Sequence, residues 1–215
     1  MDFAGQIRAA RAFLNLTQDQ LAEQAELSLP GMQKVERGES QPTARTQKKI
    51  IKAFEKRGVQ FTPRGIEYVE NPIFLLEGET QQEAYLQVLD DVYKHLQGRK
   101  QPELLIMYAD DQVSPAPVKA ALRRIRASGI RMRQLVQEGN TYLMGPLEEY
   151  RYVPKSFFIN RVTLIYGDHV TTEAGSTTEF AVKVDPVNAN IQRNTFNMLW
   201  SVLQQPERST ADERF

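Results

Sequence analysis

Cysteine is absent from the 215 residues, which excludes disulfides, thiolate catalysis, iron-sulfur clusters and Cys-ligated zinc. Histidine is scarce. His95 and His169 alone cannot build a His-rich metal site, and neither a metal nor a cofactor is expected. No stretch approaches the roughly 18 to 20 consecutive apolar residues that cross a bilayer, and Met1-Asp2-Phe3-Ala4 lacks the basic start and apolar core of a secretion signal. The expectation is a cytoplasmic protein with no membrane partner. The Gly-x-Gly-x-x-Gly and Walker-type phosphate loops and the His-Glu-x-x-His zinc motif are missing too, which removes nucleotide hydrolysis and zinc peptidase chemistry. A self-cleaving Ser/Lys dyad has no recognisable serine-centred motif, despite Ala174-Gly175-Ser176. No catalytic residue is assigned.

What remains is an average globular composition, 41% hydrophobic and 25% charged, in a chain long enough for one large or two small domains. The net charge of zero hides a segregation. Residues 1–65 hold eleven Lys/Arg against seven Asp/Glu, a balance of +4, which residues 66–215 offset. Arg45, Lys48, Lys49, Lys52, Lys56 and Arg57 fall within thirteen positions opposed only by Glu55. Such a concentration is either a solvated helix face or an attraction for a phosphate backbone.

The N-terminal third reads as short helices. Gln6 to Leu14 sets Ile7, Ala10 and Leu14 on one side. Thr17-Gln18-Asp19-Gln20 has the form of a capping box, opening a helix that runs to about Ala25 with Leu21, Ala22 and Ala25 inward. Ser28 is the next expected N-cap, Pro30 suits a first turn, and Gly38 suits a left-handed stop after Met32 and Val35. Two short helices joined by a tight turn make the helix-turn-helix pattern.

The run from Ile7 to Phe61 resembles the Xre/Cro-type DNA-binding domains of bacteria and phages. Leu16-Thr17-Gln18, Leu21-Ala22, Val35-Glu36-Arg37-Gly38, Pro42, Ile50 through Phe54 and Gly58-Val59-Gln60-Phe61 carry the resemblance in order. It implies that the third helix enters the major groove of an operator while the second helix's N-terminus meets a phosphate. On that basis Gln18 is the expected phosphate contact. Ser28, Leu29, Pro30, Gln33 and Lys34 occupy or adjoin the base-reading positions, Lys34 as donor to guanine or phosphate, Leu29 and Pro30 as apolar contacts. Leu29-Pro30-Gly31 departs from the paired Gln, Ser or Thr of many relatives, so DNA shape carries more of the specificity. Arg45, Lys48 and Lys49 would add salt-dependent backbone contacts. Arg11 and Glu36 are expected to pair with each other, and Met32, Val35, Ile51 and Phe54 to be core.

Residues 66–79, with Pro72, Gly78 and the strand-like Ile66 to Val69, read as a linker with a possible hairpin. Residues 80–205 then form an α/β domain with a mixed sheet covered by helices. Thr80 to Leu96 is amphipathic, its stripe serving as core or as dimer interface. Leu104 to Tyr108 is an unbroken apolar strand, and with the helix Pro115 to Ser128 and the strand Ile130 to Val136 it makes a β-α-β unit. Val162 to Tyr166 and Val170 to Thr172 flank a Gly167-Asp168 turn, Phe180, Val182 and Val184 alternate as a strand, and Asn188 to Leu203 is a helix burying Ile191, Phe196, Leu199, Trp200 and Val202. Residues 206–215 are polar and expected to be a flexible tail.

Tyr152-Val153-Pro154, Leu164 to Val170 and Phe196 to Trp200 resemble the phospholipase-D-like domain that also serves as sensor in TrmB-type transcription regulators. Catalytic members need a His-x-Lys pair, with imidazole as nucleophile and lysine on the phosphate. His95 is followed by Leu96-Gln97 and His169 by Val170-Thr171, so the pair is missing and a sensor or dimerisation platform is implied. Asp110 and Asp111, at the carboxyl end of a parallel strand, and Tyr150, Arg151, Tyr152, Asp168 and Glu179 are candidates for a small polar effector, each weighed against a plain surface or structural role. Arg123, Arg124, Arg126, Arg131 and Arg133 are candidates for DNA or an anionic ligand, weighed against solvation. The expectation is a dimeric, sequence-specific transcription regulator, a repressor, on double-stranded DNA. A phosphodiesterase or nuclease guided by the N-terminal domain, and an antitoxin-like autoregulator, are the alternatives.

Overall fold

Each N-terminal helix begins where a side chain caps its first turn. In the computed structural model, which describes residues 1–70 and 72–215, α1 (Phe3–Phe13) starts from Asp2, α2 (Gln18–Gln24) from Thr17, α3 (Leu29–Glu36) from Ser28 and α4 (Ala44–Glu55) from Thr43. The expected capping box at Thr17 and Gln20 is present. Gly38, at φ +74°, ends α3 in the left-handed region that glycine adopts without penalty. Ile7, Leu21, Met32, Ile50 and Phe54 form the centre of the core these helices enclose. Ile50 is the buried member of its pair, and Ile51 is only half-buried, one position around the helix from where the sequence placed the core.

The chain divides into two compact units, residues 1–74 and 75–215. The stretch read as a linker, 66–79, is largely built into strands, with Asn71 outside the described residues. Strand β1 (Val59–Thr62) pairs antiparallel with β2 (Gly65–Tyr68), and Gln6 Nε2 donates to the carbonyls of Thr62 and Gly65 at 2.7 and 2.8 Å, so the hairpin belongs to the first unit. Strand β3 (Ile73–Glu77) is the edge of the large sheet.

The second unit is the expected α/β arrangement. Its elements are α5 (Gln81–Leu96), β4 (Glu103–Ala109), α6 (Ala116–Ala127), β5 (Arg131–Gln137), β6 (Tyr150–Val153), β7 (Thr163–Tyr166), β8 (His169–Ala174), β9 (Ser176–Val184) and α7 (Pro186–Val202). Seven strands run in the order β3-β9-β8-β7-β4-β5-β6. The β4, β5 and β6 pairings are parallel, and the β4-β7, β7-β8 and β8-β9 pairings are antiparallel. Leu105, Met107, Leu135 and Ile165 face Ala189 and Phe196 of α7. α7 presents two apolar sides. Phe196 is sealed and Leu199 and Trp200 pack beside it, whereas Ile191 and Val202, expected inside, are exposed along with Val187 and Met198.

β4 does not keep its alternation. Tyr108 sits at φ +61°, where its pairing with β5 shifts between Met107 and Ala109. A bulky residue held in the left-handed region costs on the order of 1 to 3 kcal/mol. The bulge turns Tyr108 toward the α7 side, where its ring meets Phe158 edge-on at 5.8 Å, and brings Ala109 to the opposite face.

Residues 206–215, expected to be free, lie along the second unit. Thr210 N–H donates to the Thr141 carbonyl at 2.7 Å, Ser209 Oγ to Leu143 at 2.6 Å and Phe215 N–H to Met144 at 2.8 Å. Tyr142 donates to Asp212 at 2.6 Å, Arg123 pairs with Glu213, and the Phe215 ring lies under Arg123 and Arg126 at 4.7 and 5.1 Å. One aromatic end residue thus anchors an otherwise polar segment. A chain ending at Gln205 should be less stable by about 1 to 3 kcal/mol in urea denaturation; identical midpoints would contradict a docked terminus.

Candidate nucleic-acid interface

α3 is oriented by one buried carboxylate. Glu36, 2% exposed, accepts from Arg11 Nε of α1 at 2.8 Å and from Gln18 Nε2 of α2 at 2.8 Å. Arg11 also donates to the Leu16 carbonyl at 2.8 Å, and Gln33 Nε2 reaches Gln18 Oε1 at 3.4 Å. A buried carboxylate needs such donors. The expected Arg11-Glu36 pair is therefore present and continues through Gln18 to Gln33. One amide proton of Gln18, the expected phosphate contact, is spent inside the unit on Glu36.

With Met32, Val35 and Glu36 turned inward, Pro30, Gln33 and Lys34 lie toward the other side of α3, whereas Leu29, expected to face outward, packs against the core. Pro30 and Lys34 are exposed, and Leu29 and Gln33 are half-buried. The exposed Ser28 is committed as a cap, its Oγ accepting from Gly31 N–H at 3.3 Å. On α4, Arg45 and Lys48 are exposed, while Lys49 pairs with Glu26 at 3.1 Å.

The structure does not gather the effector candidates into one site. Asp111, 3% exposed, accepts from Met144 N–H at 3.0 Å and Tyr150 Oη at 2.8 Å, and Tyr150 accepts in turn from Gly145 N–H at 2.9 Å. Burial pushes the Asp111 carboxyl upward against those hydrogen bonds, and burial together with the Asp111 charge raises the Tyr150 hydroxyl. Asp110 accepts from Gln112 N–H at 3.1 Å and Asn140 Nδ2 at 3.2 Å. Arg151 instead stacks on Trp200 at 4.4 Å, Tyr152 donates to the Asn140 carbonyl at 3.0 Å, and Glu179 is half-buried on β9. The arginine group is likewise spent on neighbours. Arg126 pairs with Glu149, Arg131 and Arg133 with Glu103 at 3.8 and 2.9 Å, and Arg124 covers Tyr93 at 3.7 Å.

Asp168 belongs to a cluster that sequence spacing did not expose. His95 at the end of α5 and His169 at the start of β8 both approach Asp168 Oδ1, at 3.1 and 2.8 Å, with the two rings 4.0 Å apart. These three are the group among the described residues whose possible metal-ligand atoms converge, all within 4.8 Å. Gly167, at φ +56°, makes the approach possible, since a Cβ there would lie 2.5 Å from His95 Nε2. Burial first, then His169 and Arg99, lower His95 from its ordinary 6.5 to about 4. Burial works against ionisation of Asp168, yet the charge and hydrogen bond of His169 and the charge of His95 hold its carboxyl below the ordinary value.

A cavity of about 330 Å³ opens between α5, the β4 end and the sheet. Asp110 and Asp111 line it, as expected of that strand end, together with Tyr85, Gln134, Asn160 and Glu173, which the sequence did not single out. Tyr85 was concealed in an apolar helical stripe and Gln134 in a strand, so periodicity assigned both to the core.

His95 supplies a pH test. The unfolded chain protonates it below about pH 6.5, the folded chain only near 4, so between those values the unfolded state binds more protons and stability falls as pH falls. In urea denaturation across that window the His95→Gln variant should show the shallower slope; equal slopes would contradict the assignment.

Among the described residues, no helix is long and apolar enough to cross a membrane. Comparison of the sequence with curated proteins gives no match. Among solved structures, a phospholipase D family member, Nuc from Salmonella typhimurium, is similar at 12% identity and TM-score 0.48, covering 65% of this chain and 100% of its own. The archaeal chromatin protein TrmBL2, described with a novel mode of DNA binding, is similar at 11% identity and TM-score 0.41, covering 88% of this chain and 100% of its own. The helix-turn-helix family model matches residues 7–60, which span α2, α3 and the turn between them. That segment of the chain is a helix-turn-helix.

Proposed function

We propose that this protein is a sequence-specific transcription regulator, a cytoplasmic repressor that binds operator DNA as a homodimer and responds to a small effector through its second unit. The helix-turn-helix of residues 7–60 makes it a DNA-binding regulator. The observation that carries the finer reading is the outward face of α3, where Pro30 and Lys34 stand exposed while Glu36 ties the helix to α1 and α2. Lys34 reads guanine or phosphate, Pro30 touches thymine methyls, and Arg45 and Lys48 reach the backbone. Gln18 and Gln33, linked to each other, meet the duplex through the amide protons left free. Ser28 fixes the start of the helix, and Lys49 follows Arg45 and Lys48 along α4.

Palindromic half-sites about one helical turn apart call for a two-fold protein. The apolar stripe of α5 is spent on the core, since Ala84, Val88, Leu89 and Val92 are buried. Val187, Ile191, Met198 and Val202 offer a second copy one exposed side of α7.

A binding role for the second unit is favoured over phosphodiester hydrolysis. No His-x-Lys pair occurs in the sequence, and the residues lining the cavity include three carboxylates and no lysine, arginine or histidine. An anionic diester would meet repulsion there.

Gel shifts on a duplex identified by genome-wide mapping test the reading. The Lys34→Ala, Gln18→Ala double variant, folded by circular dichroism, should bind about tenfold or more weakly, each good base contact contributing about 1 to 3 kcal/mol. Ile191→Glu should bind a single half-site as a monomer. Unchanged affinity in the first and an unchanged dimeric complex in the second would refute the two assignments separately.

A further inference from the structure

We infer that the cavity beside the end of β4 is a binding site for a small organic cation, an ammonium or guanidinium group carried on an apolar body. The inference rests on the effector role proposed for the second unit and names the chemical class of the effector.

The cavity's walls differ in kind. Ile106, Val118, Leu122 and Phe180 supply apolar surface, and Asp110, Asp111 and Glu173 supply negative charge at one volume of about 330 Å³. That volume lies at the small end of ligand pockets. Neither Arg161 nor Arg126 is part of the lining: Arg161 Nε pairs with Glu173 Oε2 at 3.6 Å, and the charge of Arg126 acts on Asp111. The Glu173 side chain is only 6% exposed, so its charge, offset in part by Arg161, is poorly hydrated and attracts a donor entering the cavity.

Two polar groups add direction. Gln134 is 2% exposed and lines the cavity, where its side-chain amide offers both a donor and an acceptor to a ligand. The Tyr85 hydroxyl stands in the field of both Asp111 and Glu173, and burial together with those charges pushes its ionisation upward, so it remains a neutral donor. Its ring and that of Phe180, 5.7 Å apart, give a cation an aromatic wall.

The left-handed Tyr108 explains why the space is open. In an unbulged β4, alternation from Leu104 and Ile106 would aim position 108 at the cavity. The bulge puts Ala109 there instead and sends the tyrosine to the α7 side.

Three probes of one shape and different charge test the site on the full chain without DNA: benzylammonium, benzyl alcohol and benzoate, followed by ligand-observed NMR titration at neutral pH. Benzylammonium should bind at least tenfold tighter than benzyl alcohol, with benzoate weakest. Glu173→Gln should lower benzylammonium affinity at least fivefold and leave benzyl alcohol unchanged, and Ala109→Leu, folded by circular dichroism, should block both. Absence of benzylammonium binding, or equal binding of the three probes, would overturn the inference even if a variant failed to fold. Because no duplex is present, such a result would leave the DNA-binding reading standing, whereas a failed gel shift would leave the cavity untouched.

Discussion

The Glu36 carboxylate is the constraint on which the N-terminal unit depends. It is nearly sealed from water, and it receives Arg11 from α1 and Gln18 from α2 while belonging to α3. Leaving such a charge unpaired costs about 3 to 5 kcal/mol. The three helices are therefore locked in one mutual orientation by directional bonds, where apolar packing of Leu21, Met32 and Ile50 alone would leave their rotation less fixed. The side of α3 opposite Glu36 is set by the same bonds. The base readout proposed for that side calls for such rigidity, because a misplaced donor loses its hydrogen bond.

The second unit rests on a different local compromise. Its sheet tolerates a strained tyrosine in β4, and the compensation is the Phe158 contact and packing with the α7 cluster. The consequence is a cavity at the end of a parallel strand, beside Asp110 and Asp111, where open α/β sheets place their ligands. Directional bonds fix one unit's outer face, and a single backbone irregularity empties part of the other's interior.

Much of this was legible in the sequence because local chemistry dictated it. Thr17 and Gln20 cap α2 whatever surrounds them, Gly38 stops α3, and the Gly167-Asp168 turn joins β7 to β8. The misses share a cause, namely that periodicity gives a face but not its partner. α7 is apolar on two sides, so Ile191 and Val202 read as core although they are exposed. Leu104 to Tyr108 reads as one regular strand because nothing in five apolar residues marks a bulge. The polar composition of residues 206–215 points to mobility, and the single ring of Phe215 among arginines reverses it. Polarity and position at strand ends group Arg151 and Tyr152 with Asp110 and Asp111, whereas the fold gives the first two other neighbours, Trp200 and the Asn140 carbonyl.

The central claim is that the outward side of α3 meets the duplex. Amide chemical-shift mapping of the full chain during titration with a genomically mapped operator duplex tests it most directly. The account predicts the largest perturbations in residues 28–37 and 45–49. Perturbations confined to residues 75–215, with α3 unmoved, would contradict it.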